Sequence, residues 1–503
     1  MVRESLLVGF LVCALPLACG GETTRRERNR DDGGSSGDVG NAAGTTARAG
    51  QGGVSAAGGS GGSAGSAGRA GSAGSAGSAG NAGSAGRVGR LGFVNPIPVP
   101  GSLHDLPTGD TLNSTPPILL GFEDGLLIAG YTSDPALAGV SKFASDQIAE
   151  VFVARLDHTG DRLWSKPLPG SGVPIAMKLD PKGNIVVVAA YLSDRTRAIN
   201  SSFSTNDLYL AKIRPNGDII YARDIPYDGG VVPYGLAVDA EGASYVCGGY
   251  ISGDGLIFTF LAKYDADGDE VWAKKFSHTG TWASADGIAL LANGDVAITG
   301  GFNGTIDFGG GKLTTLATFG TSMMSNGFIA RFTPEGEHVE STRFGGAVSD
   351  SGKDLVALSG GDLLVSGSMS GSSEIGGKTA DGADGSPFVA RLDPAGNARF
   401  IAIAHATGTP YALVADPDEQ TFHLTGWFQQ NYFLFEFDAN GAVSPAGANV
   451  NGSLIWSNDI AVDSAGSLWV SGGFQYAIDF GNGISLSAAD KGVFLVRLER
   501  QAL

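Results

Sequence analysis

From residue 91 to its end, the chain is a succession of short runs in which apolar and polar positions alternate or stay apolar, punctuated by Gly, Asn and Asp. No stretch keeps apolar residues at helical spacing for more than about two turns, so the pattern predicts strands and tight turns. One phrase organises it: Phe260 to Lys274, FLAKYDADGDEVWAK, which reads as strand, turn, strand. Copies begin at Val151 (VFVARLDHTGDRLWSK), Leu208 (LYLAKIRPNGDIIYAR), Gly327 (GFIARFTPEGEHVEST), Pro387 (PFVARLDPAGNARFIA) and Phe433 (FLFEFDANGAVSPAG), and the chain closes on VFLVRLERQAL from Val493. A second unit precedes each, clearest as DGIALLANGDVAITGGF from Asp286, with cognates starting at Pro116, Pro174, Tyr234, Lys353, Tyr411 and Asn458.

Each repeat therefore holds four strands, illustrated by GIALL, VAITGGF, FIARF and HVESTRF, at roughly 58 residues per repeat, close to the periods of radial repeat folds. In the third strand at Val151 to Asp157, Phe152, Ala154 and Leu156 point to one side while Val153 and Arg155 point to the other. The second strand, as in Ala297 to Phe302, is apolar or small on both sides. Sheets apolar on both faces need cover on both, and stacking small sheets around a ring supplies it. The expected fold is all-β: a seven-bladed β-propeller with four-stranded antiparallel blades. The last repeat stops at its third strand, and Leu91 to Pro100, LGFVNPIPVP, reads as the missing fourth strand that closes the ring, its prolines suiting an outer edge.

The succession DxxGxxxVxGxF, then IDFGGGKL at Ile306 to Leu313 or IDFGNGISL at Ile478 to Leu486, then FxARLDxxGxxxW, resembles the bacterial SBBP-type seven-bladed β-propeller repeat over about 410 residues. The resemblance implies a fold and an exported setting, and carries no catalytic residues to transfer.

The N-terminal segment changes the expected address. Residues 1–18 have a basic residue near the start and an apolar run, Leu6 to Leu17, too short to span a bilayer, as in a signal peptide. Ala18 and Cys19 resemble the lipobox of bacterial lipoproteins, which implies lipidation of Cys19, anchorage to a membrane through the N-terminal lipid and, with Gly20 following, sorting to the outer membrane or cell surface. Pro16 departs from that pattern, and cleavage as an ordinary secretory signal is the alternative. Residues 19–90 are rich in Gly, Ser and Ala, with tandem SAG triplets, and cannot offset backbone entropy. They read as a tether reaching about 45 to 50 Å, ahead of a folded body at 91–503.

Composition then excludes several functions. The net charge is −18, and residues 1–91 hold nine basic against six acidic groups, so the acidic excess lies in the body. That argues against a nucleic-acid partner. Three cysteines, two of them in the leader region, exclude a disulfide framework, and Cys247 reads as a small buried hydrophobe. The six histidines show no zinc spacing, and no cofactor or metal is expected. Asp265-Ala-Asp267-Gly-Asp269 has a faint calcium-loop look, but its cognates DHTGD, RPNGD and TPEGE read as plain turns.

Candidate ligand residues come from repeat alignment. At the start of the first strand, one position reads Tyr234, Asp286, Lys353, Tyr411 and Asn458, which would ring a channel mouth. Trp282, Trp456 and Trp427 could stack on sugars or fill gaps between blades. Long connections at Thr132 to Glu150, Leu192 to Asp207, Asn303 to Asn326 and Ser370 to Ser386 place the expected binding face on that side. The leading expectation is a monomeric, non-enzymatic surface lipoprotein that binds a surface protein or polysaccharide. The alternatives are a propeller glycan lyase or hydrolase using carboxylates such as Asp286, and a structural envelope protein.

Overall fold

The computed structural model describes residues 91–95, 117–123, 125–132, 150–192, 206–316, 318–319, 322–404, 407–428, 431–445, 451–481 and 484–500. The expected leader 1–18, lipidated Cys19 and tether 19–90 lie outside the described residues, as do 96–100 of the expected closing strand and 133–149 and 193–205 of two long connections. Every regular element among the described residues is a strand, and the molecule is a propeller-like arrangement of small antiparallel sheets.

The third repeat shows the plan. Its strands Gly230–Val238, Ser244–Ile251, Ile257–Tyr264 and Glu270–Phe276 pair in sequence order as one antiparallel meander. Thr409–Ala415, Thr421–Phe428, Asn431–Asp438 and Val443–Pro445 repeat it in the sixth. Among the described strands, two connections run adjacent repeats into one continuous sheet. Arg162–Leu179 runs on from the fourth strand of the first repeat into the first strand of the second, and Gly345 and Gly346 of the fourth repeat pair with Glu374 and Ser373 of the fifth. In the last sheet, Asn451–Val462, Leu468–Gly481 and Ile484–Arg500 are followed by Leu91–Asn95, which pairs antiparallel with Ile484–Arg500.

Burial follows the two-sided pattern of the strands. Phe152, Ala154 and Leu156 enter one core cluster with Ala461, Trp469 and Leu495 of the last repeat, whereas Val151 and Val153 enter another with Val187, Tyr209 and Ala211 of the second. Each sheet thus contributes to the core on both faces, and the apolar cores lie between consecutive repeats. Further contacts link the first and last repeats: Leu119 N–H donates to Asp459 Oδ2 at 2.7 Å, and Ser464 N–H donates to the Glu123 carbonyl at 3.0 Å.

Turn chemistry explains the recurring acidic residues. Asp265 Oδ1 accepts from the backbone N–H of Asp267 and of Asp269, both at 2.9 Å, while Gly268 takes φ 81°. Asp157, Asp180, Asp239, Asp393, Asp438 and Asp463 do the same. The carboxylate replaces a missing backbone acceptor and Gly supplies the left-handed bend. The cation in the third strand closes the other side of the sheet: Lys212 Nζ sits 2.9 Å from Asp180 Oδ2, with both side chains buried.

An aromatic staple joins neighbouring repeats on the outside. The fourth-strand residue opposite that cation is Trp164, Tyr221, Trp272 or Phe400 in the first, second, third and fifth repeats. Each ring lies against the turn glycine of the following repeat, Gly217, Gly268, Gly336 or Gly441, where an added Cβ would come within 2.6 to 3.4 Å of it. The indole N–H of Trp164 donates to the Pro215 carbonyl at 3.1 Å, and that of Trp272 to the Pro334 carbonyl at 3.2 Å. At Gly268, Gly336 and Gly441 an added Cβ would press on the ring at 2.6 to 3.0 Å, and at Gly217 on the Lys166 stem at 2.9 Å, so the turn glycine serves packing as well as the turn.

Candidate functional site

The first strands of the repeats line a cavity of about 340 Å³. Its wall draws residues from seven first-strand segments, between Ile118 and Gly121, Val173 and Lys178, Tyr234 and Leu236, Asp286 and Ile288, Lys353 and Asp354, Tyr411 and Val414, and Ser457 and Val462. The five aligned positions Tyr234, Asp286, Lys353, Tyr411 and Asn458 all lie on it.

A shared backbone device puts them there. In the third repeat Pro233 pairs with Gly248 and Gly235 with Cys247, so the register steps over Tyr234 at a β-bulge. The register skips likewise at Asp286, Lys353, Tyr411 and Asn458. It also skips at Ile175 in the second repeat, which lines the same cavity and which polarity alone did not single out. A bulge inserts one extra residue and re-aims its side chain, so six strands each offer one bulged residue to the cavity wall. The chemistry of this ring is mixed: two phenols, an amide, an aliphatic group and an ion pair, Lys353 Nζ to Asp286 Oδ2 at 3.5 Å. Ser284 Oγ donates to Asp286 Oδ1 at 2.8 Å, and Asn458 Nδ2 donates to the Pro117 carbonyl at 3.4 Å.

Two further carboxylates in the wall follow the bulge directly. Asp459 Oδ2 accepts from Leu119 N–H and Oδ1 from its own neighbour Ile460 N–H at 2.8 Å; Asp354 Oδ2 accepts from Leu413 N–H at 3.0 Å and Oδ1 from Leu355 N–H at 2.8 Å. Each clasps the first strand of the next repeat. Glycine takes this position at Gly287, where an added Cβ would approach Asp354 Cα to 2.7 Å. Burial pushes both carboxyls up, Asp459 to about 6, against the smaller opposing pull of these N–H donors and of Lys178.

The expected tryptophans are placed differently. Trp282 is half-buried over Gly301, where an added Cβ would lie 2.6 Å from its ring, and its backbone N–H donates to Asn303 Oδ1 at 3.1 Å. It packs within the fold and is not on the cavity wall. Trp427 is exposed, across from Tyr432 in the sixth repeat, and likewise off the wall. Trp456 pairs through its backbone with Gly473. Of the long connections, 303–326 holds the hairpin Thr305–Asp307 and Lys312–Thr314, whose Ile306 and Phe308 are buried against Phe276 and Phe328. Residues 370–386 form a paired extension, Gly371 to Ile375 against Lys378 to Gly382. The first is a two-stranded sheet of its own, held by Ile306 and Phe308, and the second prolongs the second and third strands of the fifth repeat, with Ile375 buried.

Among the described residues no three His, Cys, Asp or Glu side chains group as metal ligands, and no helix is long and apolar enough to cross a membrane. Cys247 is a buried free cysteine in the third repeat.

No family model matches the chain. It is similar to an uncharacterised WD repeat-containing protein of Acanthamoeba polyphaga mimivirus, 24% identical over a segment that covers 38% of this chain and 17% of that protein. The chain thus spans about a sixth of the length of this curated relative. Among solved structures, the WD40 domain of Neurospora crassa Pan2 matches at TM-score 0.45 and 10% identity, covering 82% of this chain and 96% of that one. A streptogramin B lyase matches at TM-score 0.43 and 13% identity, covering 78% and 95%. At these scores neither carries an argument about activity.

Proposed function

We propose that the protein is an exported, lipid-anchored cell-surface module, a seven-bladed β-propeller completed by strand Leu91–Asn95, that binds a surface glycan without catalysis. The observation that carries the binding assignment is the ring of bulged residues: six strands break register at the same place, and all six bulged residues line one cavity. A pocket of this size lies at the small end of ligand sites and suits one sugar residue of a larger chain. Phenol rings offer faces to a pyranose, while an amide, a carboxylate and an ammonium match its hydroxyls. Seven blades and ring closure are supported by the pairing of Leu91–Asn95 with the last strand, by the Asp459 clasp on Leu119 and by the shared core of first and last repeats. Export and anchorage rest on the leader and Cys19 of the sequence.

The test is a glycan and surface-protein array probed with the wild-type chain and with Tyr411→Ala. The proposal expects glycan hits that the variant loses. Hits on proteins alone, or glycan hits indifferent to the substitution, would refute it. Incorporation of a labelled acyl chain that survives Cys19→Ala would sink the anchorage. One observation favours a lyase or hydrolase as a second reading: Asp459, on the cavity wall, is lifted by burial to about 6, where a carboxyl can exchange protons near neutral pH. Turnover of an array hit into shorter products, abolished in Asp459→Asn, would establish that reading.

A further inference from the structure

The aromatic staple has a vacancy. Opposite the third-strand cation Arg331, the fourth repeat carries Glu340 where the first, second, third and fifth carry Trp164, Tyr221, Trp272 and Phe400. The seat it should fill belongs to the turn Asp393-Pro394-Ala395-Gly396 of the fifth repeat. That seat keeps its shape: Gly396 takes φ 81°, as Gly268 and Gly336 take 81° and 83°. Gly217 and Gly336 are buried beneath a ring and a lysine stem, Gly268 is buried beneath its ring and Gly441 is half-buried against Phe400, whereas Gly396 is exposed, and a Cβ added to it would meet nothing within 4 Å.

The polar half of the seat is open as well. In the occupied seats the turn carbonyl accepts an indole N–H, as at Pro215 and Pro334, or a third-strand cation, as when Lys212 reaches Ala266 and Arg391 reaches Ala439. At the vacancy Arg331 turns away, to Glu340 at 2.7 Å and Asp295 at 3.1 Å, and its Nε is buried without a partner. Neither an indole nor a cation reaches the Pro394 carbonyl. A second replacement enlarges the gap. Hairpins at Phe308 and Phe480 send a phenylalanine into the core between repeats, while the corresponding hairpin of the fifth repeat sends only Ile375. The result is a pocket of about 240 Å³, walled by Arg331, Glu340, Gly376, Ile375, Pro394 and Gly396.

We infer that this pocket is a docking seat for a tryptophan side chain presented by a partner protein. The chain itself specifies the occupant: at the equivalent places Trp164 and Trp272 lay a ring on the glycine and give the indole N–H to the proline carbonyl. Residues 19–90 contain no aromatic side chain, so the tether cannot fill it. A bare glycine offers the ring a flat face, and burial of the ring's apolar area supplies the affinity.

Ligand-observed fluorine NMR of the full chain with N-acetyl-5-fluorotryptophanamide tests the seat. Glu340→Trp supplies the missing ring in cis, and Glu340→Gln leaves the seat open. Saturable line broadening is expected with the wild type and Glu340→Gln. Glu340→Trp is expected to weaken it roughly tenfold or more and to raise the thermal midpoint, which also shows that it folds. Absence of saturable broadening with the wild type, or broadening unchanged in Glu340→Trp, overturns the inference. So does concentration-dependent self-association that Glu340→Trp abolishes, because the occupant would then be a second copy of the chain.

Discussion

Replacing Asp459 by Asn should alter how stability depends on pH, and the structure sets both sign and size. The Asp459 carboxyl stands at about 6 in the folded protein because the surrounding strands exclude water from it. An unfolded aspartate titrates near 3.9. Between these values the folded chain holds a proton that the unfolded chain has lost, so stability falls as pH rises from about 4 to about 6 and is flat above. A shift of about two units corresponds to about 3 kcal/mol, taken as an upper bound because one edge of the carboxyl borders the cavity. Burial raises Asp354 in the same direction in both proteins, and the Asp354 charge adds a smaller lift to Asp459. The substituted amide would set its N–H₂ against the N–H of Leu119 or Ile460, at a cost of about 1 to 2 kcal/mol. The variant should therefore be the less stable protein at pH 4 and equal or exceed the wild type at pH 7. Urea unfolding followed by tryptophan fluorescence at pH 4, 5, 6 and 7 measures this difference. A difference that is constant with pH, or that favours the wild type increasingly as pH rises, would refute the assignment of a buried, proton-holding clasp.

The staple and the turns make further predictions. Trp272→Ala should cost about 2 to 4 kcal/mol in urea unfolding, somewhat under a fully buried tryptophan because the ring is half-buried. Val271→Ala, at an adjacent residue 55% exposed, should stay within about 0.5 kcal/mol; equal losses would contradict the staple. Asp265→Ala should cost about 1 kcal/mol through its two lost turn bonds, and millimolar calcium should leave the thermal midpoint of the wild type unmoved. A calcium-dependent rise that Asp265→Ala abolishes would instead make the turn a metal loop.

Strand positions and two-sided burial were legible in the sequence because side chains alternate across a strand and both faces of these strands read apolar or small. The turns were legible for the same reason: Asp and Gly at fixed offsets satisfy a local geometry that needs no distant partner. The cavity ring was half legible. Repeat alignment put Tyr234, Asp286, Lys353, Tyr411 and Asn458 in one column, but their exposure to the cavity comes from a register skip between strands, which no local pattern reports. Ile175 escaped because an aliphatic residue in a strand looks like core. Asp354 and Asp459 escaped because their partners, Leu413 and Leu119, lie in other repeats. For Trp282 the sequence left sugar stacking and gap filling both open, and its contact with Gly301 is of the second kind. The staple follows the same rule: its ring and its glycine are conspicuous separately, and only packing shows which meets which.

Isothermal titration of the strongest array glycan against the wild type and Ile175→Trp tests the central claim most directly. Ile175 makes no polar contribution to the ring, and an indole there would fill much of the 340 Å³ cavity from the bulge of the second repeat. Saturable heat with the wild type and its loss in a folded Ile175→Trp protein is the predicted result. Undiminished binding by Ile175→Trp would place the ligand elsewhere and contradict the assignment of the cavity as the binding site.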